Sequence, residues 1–392
     1  MKGSLEKHGT NWRMRVTVGY NEKGNPIRRS RMAAAKNKRE AEKELALFIA
    51  EIEAGEYIKP QKMLFKDFVE EWKKKYAIDN LSPQTYETYC GHLKLRILPS
   101  FGNMKLEDIK PMHLMTLADQ LKSDTRKDGK EGTLSPATIN YVIRVIKNIF
   151  KRAHEWQLIR RNPAEKLTKL KDEYQAKNPY DLEETRQIMG LLEQEETMYQ
   201  ILFQLAIMTG FRRGELLGLE WKDINLEDGT VTVRQAVSYA NSQYYIKEPK
   251  TRTSKRTISI PASLIEKLKR YKNDCNEKRL SCGDLWEAGE YFFVFSSWHG
   301  KPLFPSHITK KWHKFTKKHE LRHVNFHGLR HTSATLLLEA GENMKVISSR
   351  LGHSRINTTI DIYTHSLQSA DKGAASKLES LITNKNRTAQ TN

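Results

Sequence analysis

Cysteine is scarce: Cys90, Cys275 and Cys282 are the only three in 392 residues. They are too few and too scattered for a disulfide framework or a thiolate metal site. Long apolar runs are missing as well. No uninterrupted stretch of about 18 apolar residues occurs, which excludes a membrane-spanning helix. The first 30 residues are polar and basic and lack the apolar core of a secretory signal. Acid is also in short supply, with 47 Asp and Glu against 67 Lys and Arg, a formal charge of +20 and a pI near 9.6. The surplus is spread through every region instead of forming one tail. An extended cationic surface tracking a polyanion is therefore expected, on an intracellular, cytoplasmic chain.

The length leaves room for two or three domains. The expected class is mainly α with small antiparallel β-sheets (α+β). Residues 1–60 read as a ββ(β)α module. In NWRMRVTVGY, Trp12, Met14, Val16 and Val18 alternate with Arg13, Arg15 and Thr17, the period-2 pattern of a half-buried strand. The turn signal NEKGNP follows, then a second strand carrying Arg28, Arg29 and Arg31. From Lys38 the pattern turns helical, with Ala41, Leu45, Phe48, Ile49 and Ile52 on one stripe. An arginine-bearing sheet backed by one helix has the dimensions to enter a DNA major groove.

Residues 62–167 read as a helical domain. Leu64, Phe65, Phe68, Val69 and Trp72 share one stripe, and the pairs Ser82-Pro83 and Ser135-Pro136 place an N-cap and a first-turn proline before two helices. The second of these helices is long. Its apolar stripe runs through Ile139, Val142, Ile143, Ile146, Ile149 and Phe150, with Arg144, Lys147, Lys151 and Arg152 off it as possible phosphate contacts. Residues 168–180 are polar and read as a linker, a hinge allowing two halves to close around DNA, before a domain over 181–392. That domain opens with an apolar helix ending at Thr209-Gly210. Short strands then follow in TVTVRQAV, SQYYIKEPK and KRTISIP, a helix covers SLIEKLKRYKNDC, YFFVFSS forms a strand, and a further helix lies near 305–319.

Chemistry concentrates in the run beginning HGLRHTSATLLLEAGENMKVISSRLGH. His327 and Arg330 stand at i,i+3 on one helical face, His353 follows a Leu-Gly break, and Tyr363 lies ten residues further on. Imidazole and guanidinium groups on one face can hold the oxygens of a phosphodiester, and a tyrosine beside them can attack the phosphorus. Two rival readings exist. His327 and His331, at i,i+4, have zinc-ligand spacing, but Gly328 occupies the place of the glutamate in H-E-x-x-H. The same run also has the outline of a helix-turn-helix reader.

At His327-Gly-Leu-Arg330, Leu351-Gly352-His353 and Tyr363 the chain resembles the tyrosine recombinases, the integrases of phages and mobile elements. The upstream stretch TGFRRGELLGLEW resembles that family's first box, which implies a second catalytic arginine at Arg212, with Arg213 pointing away. Glu215, one turn on, would orient a guanidinium or cap the helix start. The family's hairpin lysine would be Lys250, with Lys247 and Lys255 as competing positions.

The resemblance implies a cut-and-rejoin reaction on double-stranded DNA. Tyr363 would form a 3′-phosphotyrosyl link, Arg212 and Arg330 would hold the phosphorus, and His353 would bond a non-bridging oxygen. His327 would serve as candidate base, Lys250 as general acid, and His331 as support at most. No metal or other cofactor is implied. The implied function is integration and excision of a prophage or integrative element, in a bacterial or phage setting. It would proceed on core and arm-type sites in a homo-tetramer, with an excision factor and a host DNA-bending protein as possible partners. The resemblance further implies that residues 1–60 bind arm sites, that the helical domain grips the core site, and that the tail with Leu378, Leu381 and Ile382 docks on a neighbouring subunit. A type IB topoisomerase-like swivel, a non-catalytic DNA-binding regulator and a zinc hydrolase are the alternatives.

Overall fold

The computed structural model describes residues 1–35, 37–54, 63–126, 131–171, 178–248, 255–353 and 379. Its contacts divide the chain into two compact units, residues 1–173 and 174–392. Lys250, Tyr363 and the tail residues Leu378, Leu381 and Ile382 lie outside the described residues.

The first unit begins with an antiparallel sheet in the order β1 (Lys2–His8), β2 (Asn11–Tyr20), β3 (Pro26–Met32). The β2–β3 turn is held by Asn21, whose Oδ1 accepts the backbone N–H of Lys23 and of Asn25. Helix α1 (Lys38–Glu53) is capped by Asn37, whose side chain accepts the Glu40 N–H at 2.9 Å. It lays Ala41 and Phe48 on Met14 and Val16, all four fully buried.

Directly opposed residues of antiparallel strands share a face, so the register sorts the arginines. Arg15 lies opposite Ser30, Thr17 opposite Arg28 and Arg13 opposite Met32, whereas Met14 lies opposite Arg31 and Val16 opposite Arg29. Arg13, Arg15 and Arg28 therefore occupy the open face, and Arg29 and Arg31 the face towards α1. Arg31 bonds Glu51 at 2.9 Å and lies over the Phe48 ring at 4.5 Å. The side-chain period of two thus splits the RRSR run between the two faces of the sheet.

The helical part follows its predicted stripes. Helix α2 (Phe65–Trp72) passes through a wide π turn (Lys73–Ala77) into α3 (Ile78–Asn80). Helix α4 (Pro83–His92) passes through another (Leu93–Ile97) into α5 (Leu98–Phe101). Ser82 and Ser135 cap α4 and the long α7 (Pro136–Glu155), each accepting the N–H three residues on at 3.3 Å, with a proline at the first position of each. Helix α6 (Pro111–Ser123) packs on α7. Phe65, Phe68, Val69 and Trp72 meet the apolar stripe of α7 in one core, where Phe65 stacks on Phe150 at 5.4 Å. Of the four α7 cations, Arg144 and Lys151 are exposed. Lys147 donates to the Glu165 carbonyl, and Arg152 turns back to pair with Glu155 and lie over Tyr76 at 4.4 Å.

The expected linker is shorter than 168–180. Leu170 is clipped to α7 through both backbone groups by Asn140, at 2.8 and 3.0 Å. Tyr180 is a core residue of the second unit, 1% exposed, with its hydroxyl donating to the Arg322 carbonyl at 2.6 Å and its N–H to Thr332 Oγ1. An aromatic ring among polar neighbours still buries enough apolar surface to dock.

The second unit wraps helices around α9 (Thr197–Thr209), in which Ile201, Leu202, Phe203 and Leu205 are all fully buried. Helix α8 (Leu182–Leu192) starts in a capping box formed by Asp181 and Glu184. After α10 (Arg213–Leu217) come β4 (Ile224–Asn225), β5 (Thr230–Val233), the hairpin β6 (Ala236–Ala240) and β7 (Gln243–Lys247), and β8 (Arg256–Ser259). One antiparallel sheet runs β4-β5-β8, and β6-β7 pair separately. Helices α11 (Ala262–Cys282), α12 (Pro305–Lys318), α13 (Gly328–Glu339) and α14 (Met344–Leu351) complete the described part.

The segment YFFVFSS is not the expected strand. Phe293, Val294 and Phe295 are buried, but the backbone pairs only briefly with residues 219–221, through Val294 N–H to Leu219 O and Trp221 N–H to Phe292 O. Its partner curls into the short 3-10 turn Trp221–Asp223 instead of extending into a ladder.

Candidate active site

The site is assembled from three chain segments that meet at helix ends. Helix α9 ends on Gly210 in the left-handed conformation, φ 65°. A Cβ there would come within 2.5 Å of Leu351 Cδ2, so only glycine fits both the backbone and the contact. Arg330, on the first turn of α13 and 3% exposed, donates from Nη1 to the Gly210 carbonyl at 2.8 Å. The end of α9 thus fixes the depth of this guanidinium.

Two residues past Gly210, Arg212 is the N-cap of α10. Glu215 closes a box on it, Oε2 accepting the Arg212 backbone N–H at 2.9 Å and Oε1 accepting Arg212 Nη1 at 2.7 Å. Both roles expected for Glu215, capping and orienting, are carried by one carboxylate. The Arg212 side chain is 40% exposed against 4% for Glu215, so the cation reaches solvent while its anchor is buried. Arg213 turns the other way and donates to Thr309 Oγ1 on α12 at 2.7 Å.

The third segment is the end of α14. Gly352 caps it with φ 68°, and the His353 N–H closes back on the Ser348 carbonyl at 3.0 Å. Arg212 Nη2 donates to the Gly352 carbonyl at 3.2 Å, joining first and third segments. Burial holds the His353 imidazole down at about 4, helped by the charges of Arg330, Arg212, Arg256 and His327. Their reach to one ring is the electrostatic signature of convergence, and the ring is neutral at pH 7.

His327, at the N-cap of α13, is exposed, and its ring meets that of buried His331 edge to face, centroids 5.2 Å apart. The glycine that interrupts the zinc pattern has a packing cause: a Cβ on Gly328 would lie 2.2 Å from Val324 Cγ1. Of the competing hairpin lysines, Lys255 pairs with Glu248 at 2.9 Å and Lys247 lies over the Tyr245 ring at 5.6 Å.

One contributor escaped the sequence: Arg256, the first residue of β8. Its side chain is 6% exposed. Nη2 and Nη1 bond the two Glu215 oxygens at 2.8 and 3.2 Å, Nε donates to the Arg350 carbonyl at 2.7 Å, and the guanidinium lies over Phe211 at 5.0 Å. A usable signal existed. Arg256 has the strand parity of Ile258 and Ile260, both buried, and a buried arginine demands an acid partner.

Comparison with known proteins shows the family to which the chain belongs. Residues 180–370 match the phage integrase family, and residues 64–122 match the N-terminal SAM-like domain of phage integrases. A tyrosine recombinase XerC-like protein of Caldanaerobacter subterraneus subsp. tengcongensis is 30% identical over 97% of this chain and 99% of its own. The ICEBs1 integrase of Bacillus subtilis is 29% identical over 66% of this chain and 70% of its own. Among solved structures, the Tn1549 transposon integrase in complex with a circular intermediate DNA superposes with a TM-score of 0.65 at 22% identity, covering 81% of this chain and 99% of that one. A lambda integrase tetramer bound to a Holliday junction gives 0.56 at 18%, covering 91% and 94%. At those identities the structures speak for the fold. The chain belongs to the phage integrase family of tyrosine recombinases, enzymes that cut and rejoin DNA at specific sites through a tyrosine nucleophile. Among the described residues, no helix is long and apolar enough to cross a membrane.

Proposed function

We propose that Arg212, Arg330, His353 and His327 form one phosphodiester-binding site, into which Lys250 and Tyr363 bring the general acid and the nucleophile. The observation that carries this is the clustering of three helix ends. Arg330 is tied to the cap of α9, and Arg212 is tied to Glu215 and to the cap of α14. These ties join residues 120 and 140 positions apart in sequence.

In this reaction the Tyr363 oxygen attacks phosphorus in line with the 5′-oxygen. The phosphorus–oxygen bond to that leaving group breaks, Lys250 supplies its proton, and a 3′-phosphotyrosyl link stores the bond energy. Arg212 and Arg330 neutralise the charge that builds on the equatorial oxygens, each worth roughly 3–4 kcal/mol by comparison with oxyanion donors. Neutral His353 offers one N–H to a non-bridging oxygen, and exposed His327 is the candidate base for the phenol. The freed 5′-hydroxyl then attacks the same link on a partner strand, so no metal or nucleotide enters the chemistry.

The wider reading is integration and excision of a prophage or integrative element by a cytoplasmic homo-tetramer on DNA, with an excision factor and a host DNA-bending protein assisting. The open-face residues Arg13, Arg15 and Arg28 are the candidates for arm-site contacts, and the exposed Arg144 and Lys151 for core-site phosphates. A nicked suicide duplex carrying the element's junction tests the reaction. A covalent protein–DNA band is expected on a denaturing gel, and its persistence in Tyr363→Phe would exclude this nucleophile.

A further inference from the structure

We propose that Arg256 is a positioning residue: it neutralises Glu215 so that Arg212 keeps its charge for the scissile phosphate. This rests on the assignment of Arg212 above. Glu215 accepts four hydrogen bonds, two from Arg212 and two from Arg256. It is shared between one half-exposed guanidinium facing the site and one buried guanidinium that cannot touch DNA.

The charge arithmetic gives the division of labour. Arg212, Arg256 and Arg330 bring three positive charges and Glu215 one negative. With Arg256 in place, one negative charge is shared between two guanidinium groups, so Glu215 offsets the Arg212 charge only in part. Without it, Arg212 is the guanidinium left on Glu215, and an ion pair already closed competes poorly for a phosphate. Burial works to raise the Glu215 carboxyl, yet the hydrogen bonds and charge of Arg256, ahead of those of Arg212, leave it below the usual carboxylate range.

The surroundings hold Arg256 to this task. Its Nε is bound to the Arg350 carbonyl on α14, and Arg350 in return donates to the Ser259 carbonyl of β8 and to Met208 O at the end of α9. The two arginines clasp β8 to α14 in both directions. A Cβ on Gly352 would stand 2.8 Å from Arg256 Nη1, so the cap before His353 is shaped around this guanidinium. Arg256 therefore links β8, the carboxylate behind Arg212 and the turn that presents His353.

The test compares Arg256→Gln, Glu215→Gln and the double variant in the full chain. Each is measured for single-turnover covalent complex formation on the suicide duplex, for DNA affinity by mobility shift and for melting temperature. Arg256→Gln is expected to slow covalent complex formation by about 10- to 100-fold, the usual scale for a residue acting through another, while affinity changes far less. The double variant removes the unbalanced carboxylate together with its counter-ion, while the amide oxygen of Glu215→Gln still caps the helix. It is expected to recover at least about tenfold over Arg256→Gln.

A merely structural Arg256 would show no such rescue, and a double variant as slow as Arg256→Gln overturns the proposal. So does Arg256→Gln at the wild-type rate. Should Arg256→Gln fail to fold, Arg256→Lys carries the test. Cleavage within about tenfold of wild type supports charge neutralisation, and a loss equal to that of Arg212→Gln refutes it. Wild-type protein that forms no Tyr363-dependent complex would instead sink the site assignment itself, a distinct result.

Discussion

Gly352 is the position where backbone, packing and chemistry can be perturbed together and then separated. Gly352→Ala imposes two costs. The left-handed backbone, φ 68°, penalises a β-carbon by about 1–2 kcal/mol. At roughly 2–4 °C per kcal/mol for a unit of this size, the melting temperature of the catalytic unit should fall by about 2–8 °C. The second cost is steric. The added carbon would sit 2.8 Å from Arg256 Nη1 and 3.1 Å from its Cζ. Arg256 cannot yield freely, because its Nε is held by Arg350 O and its fork by Glu215. The displacement passes to Glu215 and thence to Arg212, so covalent complex formation should drop by about tenfold or more.

Gly352→Asn divides the two effects. Asparagine tolerates the left-handed region but carries the same β-carbon. It should recover most of the lost melting temperature and remain as slow as alanine in cleavage, measured by single-turnover assays alongside thermal melts. If Gly352→Asn cleaves at the wild-type rate, the close approach of Arg256 to this cap has no catalytic consequence, and the reasoning fails.

Two further outcomes follow from buried groups. His353 titrates near 4 in the folded chain against 6.5 for the free side chain, so between those values the unfolded chain binds a proton that the native state refuses. Its contribution to stability is complete above pH 6.5 and is lost as pH falls towards 4, with a ceiling of about 1.4 kcal/mol per pH unit. Urea titrations at pH 7 and 5 should show a steeper decline for wild type than for His353→Asn, and equal slopes would contradict the burial argument. Tyr180→Phe deletes a hydroxyl that donates to Arg322 O and leaves that carbonyl without this partner. A loss of about 1 kcal/mol is expected in urea unfolding of the catalytic unit, with DNA cleavage unaltered below the transition; no change in midpoint would place the residue outside the cooperative core.

Much of the architecture follows from local patterning. The serine-proline pairs at 82–83 and 135–136 cap their helices as expected, because an N-cap and a first-turn proline act within a few bonds of their own sequence. The stripes of α2 and α7 are buried, apart from the half-buried Leu64 that caps α2, since a 3.6-residue period defines a face regardless of what covers it. Where a partner was needed to decide, local signals fell short. YFFVFSS has every residue preference of a strand, but a strand requires an extended neighbour, and residues 219–223 turn away instead. Tyr180 looks like linker because its neighbours are polar, and only the docking of Arg322 and Trp312 against it reveals a core residue.

The same division runs through the site. The order and spacing of His327, Arg330, His353 and Tyr363 carry the resemblance to the family, and that resemblance points to Arg212 as the other half, because side-chain type and spacing can be read along the chain. Tertiary structure decided what stands behind them. Glu215 answers to two arginines, Arg256 is buried at the junction of β8, α10 and α14, and each of the glycines at 210 and 352 makes room for a side chain from another segment. Such contacts depend on which helix ends meet, and the ends of α9 and α14, far apart in sequence, are brought together only by the tertiary fold.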